Sequence, residues 1–267
     1  MATHVVMFSG GIGSWAAARR VRDALDPADR LVLLFADTTI EDDDLYRFLP
    51  EAAADVGGEL VILRDGRTPW EVFHDTRFLG NARLARCSHD LKQKPARARV
   101  EANCDPCTTV LYVGIAWDEA HRLVGCRAGW APWRVEAPLT EPPWATREGT
   151  LAALHARGIR PPLLYELKFP HNNCGGFCVR AGQAQFRKLL EVFPERYRLH
   201  EAEEEGLRQY LDKDVAILRD RRGGGTKPLT LRAFRARLEG GEGCDAFDWG
   251  GCGCFVDDAT TPAPPEP

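Results

Sequence analysis

The residues best placed to do chemistry come first in the chain. Ser9-Gly10-Gly11-Ile12-Gly13-Ser14 lies between the apolar run Val5-Val6-Met7-Phe8 and the alanine-rich stretch Trp15-Ala16-Ala17-Ala18. A strand that turns directly into a helix leaves the helix's first N–H groups unpaired, and they face any anion seated at the turn. Glycine at 10, 11 and 13 lets the backbone come close to that anion, and the hydroxyls of Ser9 and Ser14 add donors. Neither the ordinary triphosphate loop, with its Gly-Lys-Ser/Thr ending, nor G-x-G-x-x-G is present. The competing reading is a glycine turn that binds nothing.

Cysteines are the second source of chemistry. Cys174-Gly175-Gly176-Phe177-Cys178 and Cys252-Gly253-Cys254 set pairs of thiols among glycines, which lets sulfurs converge on one ion. A helix starting beside Cys178 would lower its thiol pKa and favour the thiolate. Four thiolates suit a [4Fe-4S] cluster or a structural zinc. The C-x-x-x-C spacing is not that of the C-x-x-C zinc knuckle and favours iron–sulfur. Cys104-Asp105-Pro106-Cys107 has the knuckle spacing but lies on a loop entering a strand. Isolated Cys126 and Cys244 read as small buried hydrophobes. His171 reads as a hydrogen-bonded loop residue rather than a ligand or proton donor.

These groups need a scaffold, and the apolar pattern supplies one. Strands are expected at His4 to Phe8, Leu31 to Ala36, Leu60 to Leu63 and Val110 to Ile115, with helices at Ser14 to Leu25 and Asp42 to Val56 between them. Strands alternating with helices imply right-handed crossovers and an α/β, doubly wound, mostly parallel sheet with its ligands at the carboxyl ends of the strands. Farther on, Ala181 to Phe193 reads as an amphipathic helix ending before Pro194, and His200 to Lys213 as another. Residues 1–165 are thus expected to form a nucleotide-binding domain and 166–256 a helical segment carrying cysteines. That segment is expected to fold as a lid fastened by metal, and the Pro- and acid-rich 257–267 to be a disordered tail.

Several of these residues resemble the PP-loop superfamily, whose signature S-G-G-x-x-S after the first strand matches Ser9, Gly10, Gly11 and Ser14. The family's usual fifth residue is aspartate, often preceded by lysine; here Gly13 and Ile12 stand there. Farther along come Cys87 to Pro95 (C-x-x-x-L-K-x-x-P), Gly114 to Arg122 (G-x-x-x-x-E-x-x-R) and Pro138-Leu139. They follow the order of the phosphoadenosine-phosphosulfate-reductase-like group, and the resemblance spans residues 5 to 180. It implies an adenine nucleotide on Ser9, Gly10, Gly11, Gly13 and Ser14, with Asp37 and Thr38 near the adenosine. Asp37 would accept hydrogen bonds from ribose hydroxyls; a helix cap is the plainer role for either residue. Lys92 and Arg122 would bring positive charge to phosphate or sulfate, while Glu119 is equally a helical ion-pair partner of Arg122. Cys87 lies where family members place a cysteine facing the C-terminal ones. Cys87, Cys174, Cys178 and Cys252 or Cys254 would then share a metal centre, leaving the other of that last pair, Cys254 in the catalytic assignment, free to attack.

Composition agrees with a sizeable folded enzyme. The chain has 267 residues, 44% of them hydrophobic, and a net charge of −4, so no global basic field draws in nucleic acid. Nothing reads as a membrane span or secretion leader, so the expected location is the cytoplasm, where nine cysteines serve metal or catalysis better than disulfides. The expected reaction uses ATP and Mg2+, adenylates a nucleic-acid base or small acceptor with loss of pyrophosphate, and passes sulfur to it from a sulfur donor. Two alternatives are a sulfonucleotide reductase served by a thioredoxin-like partner, and a nucleotide-binding protein with structural zinc.

Overall fold

The computed structural model describes residues 1–251. Five strands, β1 (Thr3–Met7), β2 (Arg30–Asp37), β3 (Glu59–Arg64), β4 (Thr109–Tyr112) and β5 (Arg134–Glu136), pair in parallel in the order β3-β2-β1-β4-β5. The chain therefore winds outward from β1 through β2 to β3, then returns to the other side of β1. Connections leaving β1 and β4 diverge, and a crevice opens between them at the carboxyl ends.

Both faces of the central strands are covered, which is why they read as unbroken apolar runs. Side chains alternate across the sheet. Val6, Phe8, Leu33 and Phe35 meet Trp15 and Ala18 of α1 (Ile12–Ala24) and Leu45, Phe48 and Leu49 of α2 (Asp43–Val56). Val5, Met7, Val32 and Leu34 meet Ala96 and Val100 of α5 (Lys94–Asn103) and Trp130 of α6 (Leu123–Trp130) on the other face. β4 ends at Tyr112, short of the expected Ile115, and Gly114-Ile115 turn into the crevice instead. The short strand β5 has too little apolar pattern to be read in advance.

A third apolar cluster joins the C-terminal helices to an earlier stretch. Phe186 of α9 (Gln183–Val192), Tyr197 and Leu207 of α10 (Pro194–Leu211) and Phe234 of α11 (Leu231–Glu239) pack with Trp70 and Phe73 of α3 (Pro69–Asp75) and with Leu91. The expected helix at His200 begins earlier, at Pro194, because a proline that ends one helix is also well suited to open the next. Its Glu204 braces the unit by accepting the N–H of Ile217 at 2.9 Å and of Leu231 at 2.6 Å. Those residues flank the antiparallel hairpin of β6 (Leu218–Asp220) and β7 (Lys227–Leu229). Burial outweighs the two N–H bonds and pushes the Glu204 carboxyl up to about 7. No helix among the described residues is long and apolar enough to cross a membrane.

Candidate active site

The first turn after β1 is built for close approach. Gly10 sits in the left-handed region at φ +73°, and a Cβ there would stand 2.4 Å from Leu45 Cδ1. Gly11 caps α1 without side-chain help. Ser14 donates its hydroxyl to the Gly11 carbonyl at 2.8 Å, and the Ser9 oxygen accepts from the Gly11 N–H at 3.4 Å. Across the crevice, a Cβ on Gly114 would come within 3.1 Å of the Ser14 backbone, so the two connections touch main chain to main chain.

Between them lies a cavity of about 220 Å³ lined by Ser9, Gly11, Gly13, Ser14, Gly114 and Ile115, and also by Glu119, Arg122, Tyr165, His171, Asn172 and Asn173. Arg122 closes a 3-10 turn over Trp117–Arg122 and pairs with Glu119 three residues back. The helical ion pair is present, and Arg122 also lines the cavity. The last four residues come from the C-terminal half. Asn172 donates its amide to the Gly10 carbonyl at 3.0 Å, and Arg147 donates to the carbonyls of Pro170 at 2.9 Å and Phe169 at 2.6 Å.

His171 departs from the expectation of a hydrogen-bonded loop residue. Both ring nitrogens are buried and neither has a hydrogen-bond partner among the described residues. Burial, with the charges of Lys92 and Arg147 adding to it, pushes the imidazole down to about 4. It is therefore neutral at physiological pH.

A second, smaller cavity of about 20 Å³ adjoins. Cys87 from α4 (Arg86–Ser88), Cys174 and Cys178 line it, with Thr38, Ser88 and Lys92. All three cysteines are buried. Cys174 holds φ +52°, and its N–H donates to the Glu41 carboxylate. Gly175 follows at φ +58°, where a Cβ would stand 2.8 Å from the Ile40 carbonyl. Arg196 donates to the Gly175 carbonyl at 2.6 Å and to Asp42 at 3.0 Å. Phe177 stacks on His200, with ring centres 3.6 Å apart, and His200 accepts from the Trp70 indole at 3.0 Å. The cysteine turn is thereby clamped to α2 and α10.

The expectation of a helix terminus lowering the Cys178 thiol does not hold, because α9 begins only at Gln183. Burial pushes the Cys174 thiol well up, and Glu41 raises it further against the opposing charge of Lys92. Among the described residues no group of three or more His, Cys, Asp or Glu stands ready to hold a metal ion. Cys252, Cys254 and the expected tail at 257–267 lie outside the described residues. The donor set nonetheless suits a thiolate-bound metal: three buried thiols share one cavity with the Lys92 cation, and the buried Ser88 hydroxyl has no partner among the described residues.

Lys92 and Thr38 correct the sequence expectation. Lys92 lines the thiol cavity, with its ammonium 3.4 Å from Glu41, instead of the loop cavity. The reason is a π-helical turn over His89–Gln93, in which residues five apart fall on one face, so that Lys92 follows Cys87. Thr38 also faces the thiols and donates to Glu41 at 2.9 Å. Asp37 lies outside the loop cavity lining. One of its oxygens accepts from the Thr39 N–H at 2.8 Å and from Tyr46 at 2.7 Å, and the other from Arg64 at 2.7 Å. The Asp37 carboxylate braces the end of β2, and the cap of α2 is Asp42. Cys104 and Cys107 precede β4, at the end of the sheet opposite the crevice. Cys126 belongs to the core and also touches the loop cavity.

Among the solved structures that resemble the chain are two enzymes. One is a phosphoadenylyl-sulfate (PAPS) reductase from Candida auris in a phosphate complex, 13% identical, covering 63% of this chain and 79% of that one at a TM-score of 0.43. The other is the U34-tRNA thiolase NcsA from Methanococcus maripaludis with its [4Fe-4S] cluster, 14% identical, covering 79% of this chain and 71% of that one at a TM-score of 0.43. At such values neither likeness bears on chemistry. The sequence matches no protein-family model and no curated protein at a significant level.

The sequence assigned no role to Ser88 or Asn172, placed Glu41 only near the crevice beside Asp37 to Thr39, and read as hydrogen-bonded a His171 whose ring nitrogens have no partner among the described residues. The one available signal was the run His171-Asn172-Asn173 directly before Cys174, three polar side chains beside a thiol. Asn172 and Asn173 are buried, so the run serves the interior and not the surface.

Proposed function

We propose that the chain is an adenine-nucleotide-dependent enzyme of PP-loop type, akin to the phosphoadenosine-phosphosulfate-reductase-like group, that activates an acceptor for sulfur transfer. One observation carries this reading: the single segment from His171 to Cys178 lines the loop cavity with its first residues and the thiol cavity with its last. An anion-holding turn and a set of thiols are thus joined by a few residues of chain.

With ATP and Mg2+ bound, the amides of the loop, the hydroxyls of Ser9 and Ser14 and the fork of Arg122 stabilise charge on the phosphates. An oxygen of the acceptor, a nucleic-acid base or a small molecule, attacks the α-phosphorus. The α–β bond breaks and pyrophosphate leaves. A sulfur nucleophile from a sulfur donor then takes the place of AMP on the activated carbon. Cys87, Cys174 and Cys178, with Cys252 or Cys254, would hold a [4Fe-4S] cluster or a zinc ion. A cluster bound there supplies sulfur-handling chemistry, and zinc supplies structure. Lys92 balances thiolate charge in the same cavity.

Gly13 favours a second reading. Where the resembled motif has aspartate, the loop carries no carboxylate to help hold Mg2+, and a sulfonucleotide needs none. In that case Cys254 attacks the sulfate sulfur, the S–O bond to the nucleotide breaks, and a thioredoxin-like dithiol releases sulfite.

Anaerobic purification with iron, sulfide and zinc analysis tests the centre, and pyrophosphate and sulfite assays with ATP and a sulfonucleotide test the chemistry. Iron and sulfide in equal amounts with pyrophosphate release are expected. Zinc alone with silence in both assays overturns the enzyme and leaves a nucleotide-binding module.

A further inference from the structure

We infer that His171 is a substrate-binding residue of the loop cavity, donating a hydrogen bond from its imidazole to an anionic phosphoryl or sulfuryl oxygen of the nucleotide. This rests on the reading that an adenine nucleotide occupies that cavity. Buried polar groups are almost always paired, so a ring with two buried, unpaired nitrogens is an exception that requires a cause. Slack chain is not the cause. On one side Arg147 holds the carbonyls of Phe169 and Pro170, and on the other Asn172 is bonded to Gly10 of the loop itself. The chain on both sides of His171 is thus held, and His171 lines the cavity together with Ser9, Gly11 and Ser14.

The surroundings specify what is missing. The charges acting on the ring are those of Lys92 and Arg147, both positive. Burial, with those cations adding to it, keeps the imidazole neutral, and the cations favour an anion beside it. A neutral imidazole keeps one N–H to give, and an anionic oxygen in the loop cavity is the partner that accepts it while lying in the field of the two cations. A role as metal ligand fits less well, since His171 lines the loop cavity and not the thiol cavity.

Two variants of the metal-loaded protein test the assignment. His171→Leu keeps the volume and removes the donor, while His171→Gln keeps an N–H. Calorimetry with ATP plus Mg2+, and separately with adenosine 5′-phosphosulfate, gives the affinities; melting of the unliganded protein and metal analysis accompany each variant. His171→Leu is expected to weaken binding roughly tenfold to a hundredfold, the worth of a hydrogen bond to a charged group. It should also melt at a higher temperature than wild type without ligand, because a desolvated, unpaired ring has gone. His171→Gln should recover most of the affinity. A loss seen with ATP alone assigns the phosphoryl oxygen, and one confined to the phosphosulfate the sulfuryl oxygen. Affinity within twofold of wild type in His171→Leu overturns the inference, as does a lower melting temperature, which marks a structural ring, or lost metal, which marks a ligand. Wild-type protein that binds neither nucleotide overturns the functional reading as well as this one.

Discussion

Gly10 shows how much of the loop is decided by one missing atom. Its φ of +73° strains any L side chain, and a Cβ would press on Leu45 Cδ1 at 2.4 Å and on Leu49 at 3.3 Å, both core residues of α2. Gly10→Ala therefore combines left-handed strain with overpacking, each costing about 1–3 kcal/mol. Urea denaturation should show a loss of about 2 kcal/mol or more, and nucleotide affinity should fall with it because the Asn172 bond to the Gly10 carbonyl shifts. A loss below about 0.5 kcal/mol, the range of an ordinary surface change, would mean the turn can rearrange and is no rigid cradle. The residue types at this turn were legible because the chemistry of glycine and serine is local. The cavity that Lys92 faces was not legible, since it depends on the widened turn at His89–Gln93, which leaves no mark in the composition.

At the scale of elements, the segment from His171 to Cys178 acts as a strap between two cavities, held by neighbours from both halves of the chain. Arg196 on α10 is its outer fastening, reaching the Gly175 carbonyl and Asp42 at the start of α2. Arg196→Ala leaves both groups without that partner beside a turn in which Cys174, Gly175 and Gly176 all have positive φ. Loss of charged hydrogen bonds worth about 1.5 kcal/mol raises the open population of such a turn roughly tenfold. In metal-free protein a thiol-reactive disulfide reagent should accordingly modify the buried cysteines about tenfold faster in Arg196→Ala than in wild type. Equal rates would show that the stacking of Phe177 on His200 suffices to hold the turn. The sequence places this strap through the spacing of its cysteines and glycines. Its fastenings come from residues far away in the chain, and a distant Arg–carbonyl pair has no periodicity to betray it. The same contrast separates β2, a long apolar run visible at once, from β5, whose three residues are strand only because β4 lies alongside.

In the whole molecule, buried His200 and Glu204 and the buried ring nitrogens of half-buried His171 shape how stability answers to pH, and they do not all pull the same way. His171 and His200 are pushed down to about 4 and about 3 by burial, whereas Glu204 is pushed up to about 7. Below an ordinary histidine value of about 6.5 the unfolded chain takes up two protons that the folded chain refuses, so stability falls as the pH falls. Glu204 acts in the opposite sense. From about pH 4.5 upward the unfolded chain has released a proton that the folded chain still holds, and stability is lost as the pH rises through about 7. Between pH 4.5 and 6.5 two protons therefore oppose one, and stability should climb with pH by a net of about 1.4 kcal/mol per pH unit. Carboxylates held low by arginine or histidine partners, such as Asp44, Asp90 and Glu201, add their own losses only at more acid pH. Glu204→Gln removes the opposing proton, so its slope in that window should roughly double even though its absolute stability drops, because the Ile217 and Leu231 N–H groups reach different carboxyl oxygens and an amide puts an NH2 in place of one of them. Urea midpoints at half-unit steps of pH would read both slopes. Parallel lines for wild type and variant would show that Glu204 is ionised in the folded protein and that its two N–H bonds, not its burial, decide its charge.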